Sequence, residues 1–148
     1  MKKFFILSCF FSIVVIFFGC DKDESPDNLI EGEWVLMEVG STWTQDVIKA
    51  EEIDYEEKYI LLPNGTFVKT RTGSDSDGQA TGTFTFTAAE PNHQDVQYYL
   101  SLTFETGTDM IISCTKSLGI EEFALLDNGR LLNAAGACDW PVLTYRKK

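Results

Sequence analysis

The chain has 148 residues, 44% of them hydrophobic and 13% aromatic, with 12 Lys+Arg against 23 Asp+Glu. That length holds one ordinary core, and a formal charge of −11 excludes a general polyanion binder, nucleic acid first of all. The first 19 residues carry two lysines and no acid, so the 129 that follow stand at −13.

Met1-Lys2-Lys3 and the apolar run from Phe4 to Gly19 form the basic and hydrophobic regions of a secretion signal. The run has 16 residues, short of the roughly 20 that span a bilayer, which favours a cleaved signal over 1–19. Phe17-Phe18-Gly19-Cys20 resembles a bacterial lipobox, in which a small residue precedes the acylated cysteine. The resemblance implies that the Cys20 thiolate takes a diacylglycerol and its freed amine a further acyl chain such as palmitate. Two or more chains, at about 0.8 kcal/mol per buried CH₂, anchor a protein stably. Residues 20–28 are polar, charged and proline-containing after the cysteine, the composition of a flexible tether. Asp21 directly after Cys20 resembles an inner-membrane retention signal of some bacteria, and Lys22-Asp23-Glu24 a surface-export signal of others. The expected location is the cell envelope, lipid-anchored in the outer membrane or on the cell surface.

From Leu29 onward the dominant period is two. Val96, Tyr98, Leu100, Leu102 and Phe104 alternate with polar neighbours, and Thr83 to Thr87 repeats the pattern with threonines outward. Pro63-Asn64-Gly65, Thr106-Gly107-Thr108 and Asp127-Asn128-Gly129 supply hairpin turns. Strands are expected near 33–40, 57–62, 66–72, 81–87, 96–105, 109–115, 120–126, 130–134 and 141–147. Thr44 to Glu57 lacks alternation and reads as a long loop or short helix, and Thr72 to Ala80 as a hairpin tip that does not pack. The fold class is therefore all-β: an antiparallel up-and-down meander that hides its edges by closing into a barrel of about eight strands. A two-sheet sandwich is the competing architecture. Residues 29–148 form the domain.

Of four cysteines, Cys9 leaves with the signal and Cys20 carries lipid, so Cys114 and Cys138 remain as an even pair in an oxidising setting. A disulfide is the economical reading and two buried thiols the alternative. The bond would close a loop of about 25 residues, worth roughly 3 kcal/mol on a chain-entropy estimate.

Leu29 to Leu36, with Gly32-Glu33-Trp34 at its centre, resembles the Gly-x-Trp signature of lipocalins, and more closely the small lipocalin-like domains of bacterial lipoproteins. The ending Leu143 to Lys147 and the hairpin Tyr59 to Phe67 are similar to that group as well. The resemblance implies a barrel whose floor is closed by Trp34, with Arg146 late in the last strand packing across it by cation-to-ring attraction.

The remaining residues point away from catalysis. His93 is the only histidine, in a polar turn, and no Gly-x-Ser-x-Gly elbow or Cys/His nucleophile arrangement is present. The carboxylates Glu51, Glu52, Asp54, Glu56 and Glu57 read as a solvated face. Asp75-Ser76-Asp77-Gly78 resembles the start of a calcium loop, but its twelfth position falls on Phe86 rather than a glutamate. No metal or cofactor is expected. Phe67, Phe84, Phe86, Tyr98 and Phe104 are expected inside the barrel, where they either fill it or line an apolar cavity. Trp43 and Trp140, near strand ends, would flank a barrel mouth or meet a partner. The expectation is a monomeric, lipid-anchored, non-enzymatic binding module for a small hydrophobic or amphipathic ligand. The alternative is a filled barrel whose surface binds an envelope protein or glycan.

Overall fold

The computed structural model describes the chain from Ser25 onward, apart from residues 42, 45, 74–76 and 94. The signal segment 1–19, Cys20 and the start of the tether lie outside the described residues, as does Asp75 of the calcium-like run. A short helix α1 (Pro26–Ile30) leads into nine strands: β1 (Gly32–Gly40), β2 (Val47–Lys49), β3 (Glu56–Leu61), β4 (Thr66–Thr72), β5 (Gly78–Ala88), β6 (Val96–Thr106), β7 (Ile120–Leu126), β8 (Arg130–Asn133) and β9 (Val142–Lys147). Every pairing is antiparallel, and β1 meets β9 from Trp34↔Lys147 to Gly40↔Val142, which closes eight strands into a barrel with β2 as an additional strand on β1. Closure is how this meander hides the backbone groups that two open edges would expose.

Local chemistry sets the hairpins. In the β3–β4 turn Gly65 takes φ +77°, Leu62 N–H bonds the Thr66 carbonyl at 2.9 Å and Asn64 Oδ1 accepts the Thr66 N–H at 3.1 Å. That left-handed position is why Asn-Gly marks a turn. Within β5, Gly82 sits where a Cβ would meet the Thr103 carbonyl oxygen at 2.0 Å and the Phe67 ring at 2.8 Å. Its missing side chain lets β6 and the Phe67 ring approach.

Three expectations change. The stretch 109–115 is not a strand: Thr108–Met110 and Lys116–Leu118 are single 3₁₀ turns, and Met110 and Ile111 enter the core. Its backbone is satisfied by side chains instead of a ladder, for Met110 carbonyl accepts from Lys69 Nζ at 2.8 Å and Ile112 N–H donates to Glu121 Oε1 at 2.7 Å. The stretch read as loop or helix holds both β2 and the 3₁₀ turn Ala50–Glu52. Gly78 to Ala80 of the expected hairpin tip are already strand β5, with Ala80 buried. Just ahead of Leu29, helix α1 begins at Pro26, and its Ile30 is buried in the core.

The barrel has two closed ends. At the α1 end, Trp34 Nε1 donates to the Ile30 carbonyl at 2.7 Å. At the far end, the β6–β7 connection is joined to the β8–β9 connection by a Cys114–Cys138 disulfide with Cα atoms 5.6 Å apart. Among the described residues, the nine strands and both closures surround one buried core.

Candidate functional site

The five interior aromatics fall on inward positions, but they pack on one another. Phe67 and Phe104 meet edge to face at 4.9 Å, and Phe84 is buried beside them in the same core. Phe86 and Tyr98 form a half-buried pair at 5.9 Å. Tyr59, absent from the expected interior set, is the hub of the core: its ring lies 5.3 Å from Tyr145, 5.5 Å from Phe123 and 6.2 Å from Phe67.

At the α1 end Trp34 is buried, whereas Arg146 pairs with Val35 on the outer face and is exposed rather than packed across the Trp34 ring. Its neighbour Lys147 lies opposite Trp34, and its Nζ bonds the carbonyls of Asn28 and Leu29. A strand alternates faces with each residue, so a shift of one exchanges inside for outside.

Beyond the rings, the interior turns ionic. Glu57, Lys69 and Glu121 are fully buried and Arg71 partly so. Lys69 Nζ lies 3.1 Å from Glu121 Oε1 and 3.5 Å from Glu57 Oε1, and Arg71 Nε bonds Glu57 Oε2 at 2.7 Å. The Tyr145 hydroxyl donates to Glu57 Oε1 at 2.5 Å and the Tyr59 hydroxyl to Glu121 Oε2. Burial pushes both phenols well above their ordinary 10.0, and the adjoining carboxylates push them the same way, so they remain donors. Burial also raises the Glu121 carboxyl above its ordinary 4.5, against the pull of Lys69, the Ile112 N–H and Tyr59. Two carboxylates face two cations and every carboxylate oxygen is engaged, which satisfies a buried charge set at the required cost in desolvation. The network holds Met110 and Ile112 across the far end. Glu57 thus departs from the solvated acidic face, while Glu51, Glu52, Asp54 and Glu56 are exposed.

Open volume lies on the outside of the wall. One groove of about 550 Å³ crosses the outer face of β5 to β8 and is lined by Thr85, Tyr99, Ser101, Ala124 and Leu132 among others. His93 stands at its margin, with Nδ1 2.9 Å from the Tyr99 hydroxyl. A second cavity, a cleft of about 520 Å³, is built by topology. β3 pairs with β1 only from Gly32 to Val35, and β2 takes over from Glu38 to Gly40. The wall splits between these partners. Val35, Leu36, Ile53 and Tyr55 give the cleft an apolar floor, and its charged lining comprises Lys58, Arg146 and Lys148 with Glu33 between the two lysines, together with Glu51 and Glu56. Glu57 also reaches it, and Arg71 Cζ lies 4.9 Å from the Tyr55 ring centroid, so the cleft borders the buried network.

The signal for the buried charges was in register: Glu57, Lys69, Arg71 and Glu121 are in phase with Tyr59, Phe67 and Phe123. For Glu57 the phase overrules the solvated face that its acidic neighbours imply. Among the described residues no group of three His, Cys, Asp or Glu side chains is placed to hold a metal ion. Comparison with known proteins finds no family model, no curated protein and no solved structure that matches the chain.

Proposed function

We propose that the chain is a lipid-anchored, non-catalytic binding module of the bacterial cell envelope that holds a small amphipathic molecule in the side-wall cleft rather than inside the barrel. The observation that carries this reading is the contrast between an interior occupied by rings and paired charges and an outer cleft of about 520 Å³ with an apolar floor and charged walls. Such volume and mixed lining suit a small ligand. The lipobox-like Phe17 to Cys20 supports the anchor, and a disulfide between Cys114 and Cys138 suits an exported chain.

Two experiments test the reading. The purified domain from Asp21 to Lys148, titrated with fluorescent amphiphiles, should bind them saturably, and Val35→Trp should abolish binding by filling the cleft; a silent panel rejects the proposal. Cys20→Ser should release the protein from membranes, and retention of an uncleaved form points instead to a signal anchor.

A second reading has its own support. Trp43 is 76% exposed and Trp140 44%, and the two share a small cavity at the far end with Gly40 and Pro141. Val47 and Ile48 of β2 are exposed as well. A protein partner docked there would give a discrete crosslinked adduct in intact cells that Trp43→Ser with Trp140→Ser removes.

A further inference from the structure

We infer that the cleft selects an amphipathic anion, with Arg146 holding its carboxylate or phosphate head and the floor of Val35, Leu36, Ile53 and Tyr55 taking its apolar body. The inference rests on the cleft being the ligand site. It begins from charge placement, which the net charge of the chain conceals.

Register puts Lys58, Val35, Arg146 and Arg130 in one row across four neighbouring strands, all on the outer face. Three cations therefore crowd one wall of an acidic protein. Most are already engaged: Lys58 and Lys148 flank Glu33 at 3.9 and 3.3 Å, and Arg130 reaches Glu38 at 3.5 Å. Arg146 has no carboxylate partner among the described residues, and it lines the cleft. A guanidinium offers a planar fork that pairs a carboxylate or phosphate in two hydrogen bonds. Lys58 and Arg130 on either side of it in the row are each turned to a carboxylate, so the Arg146 guanidinium is the cation that an anionic head in the cleft would meet.

The rest of the cleft sets the ligand's direction. Glu51 and Glu56, both exposed, repel an anionic head from their part of the cleft. The ring of Tyr55 and the side chains of Ile53 and Leu36 offer apolar surface. A head at Arg146 and a chain running over this floor satisfy both. About 520 Å³ accommodates one small molecule, so the occupant is a free amphiphile rather than a bilayer surface.

The test compares dansyl-undecanoate with its uncharged methyl ester on the Asp21–Lys148 domain by fluorescence titration. The carboxylate should bind about tenfold more tightly, the scale of one charge-assisted pair. Arg146→Ala should reduce that ratio to about one while keeping ester affinity, and Arg146→Lys should restore part of it. Val35→Trp should abolish binding of both probes, with an unchanged thermal transition excluding misfolding. An undiminished ratio in Arg146→Ala overturns the head-group inference alone. Undiminished binding of both probes to Val35→Trp overturns the cleft itself, and a wild-type domain that binds neither probe overturns both.

Discussion

The two halves of the barrel interior are filled on the same inward alternation but by opposite chemistry. Around Trp34, Phe67, Phe84 and Phe104 the interior is apolar, and each ring contributes through its own buried area and contacts. Around Glu57, Lys69, Arg71 and Glu121 it is ionic, and each group depends on the others because their oxygens and nitrogens are shared. The apolar half should therefore lose stability in proportion to what is removed, whereas the ionic half should fail as a unit.

The largest effect should come from Lys69→Met, which leaves the buried Glu121 carboxylate without a cation and Glu57 with Arg71 alone, and should cost roughly 3–5 kcal/mol in a urea titration. Phe84→Leu, in the apolar half, should cost roughly 1–2 kcal/mol. Equal losses would erase the distinction. Lys69→Met combined with Glu121→Gln should recover part of the single-variant loss, because Glu57 keeps Arg71 and no other charge of the network is left unpaired.

Removing the disulfide with Cys114→Ala and Cys138→Ala comes next, at about 3 kcal/mol. Its effect should fall on one end of the molecule. Amide exchange should accelerate across 107–119 while Trp34, at the α1 end, keeps its emission. Smaller again, Trp34→Phe removes the donor to the Ile30 carbonyl and should cost about 1 kcal/mol, read as a lower denaturant midpoint at constant slope.

The smallest effects are pH slopes of opposite sign. Burial raises Glu121 above 4.5, so the folded chain binds that proton more tightly than the unfolded chain does. Its contribution is complete below pH 4.5 and is lost as pH rises through the raised value. The Glu38 carboxyl is drawn below 4.5, chiefly by its hydrogen bond from Lys49. Its contribution is present above 4.5 and is lost as pH falls through the lowered value. Glu121→Gln should flatten the stability profile above pH 4.5, and Glu38→Gln below it, in midpoints measured across pH.

Much of the fold is legible in local pattern. Strict alternation in Val96 to Phe104 and the Asn-Gly turns at Asn64 and Asn128 lead directly to hairpins, because a strand's faces and a turn's φ are decided within a few residues. Met110-Ile111-Ile112 misleads for a physical reason: an apolar run with two β-branched isoleucines suits a ladder, yet here the side chains of Lys69 and Glu121 supply the partners a neighbouring strand would have given. The choice between Arg146 and Lys147 at the floor turns on register with β1, to which composition is blind. The cleft was the least legible part, since it arises where β3 and β2 share one edge of β1.

Hydrophobic period, turn residues and cysteine parity were enough to imply an antiparallel barrel, its inward aromatics and the Cys114–Cys138 pair, because each depends on short-range geometry or on counting. Whether the interior stood open or filled, which acid was buried, and where the wall divided depended on contacts between residues as distant as Glu57 and Tyr145. Those contacts exist only once the sheet has closed, since closure alone decides which inward charges meet an opposite charge and which outward ones are left facing water.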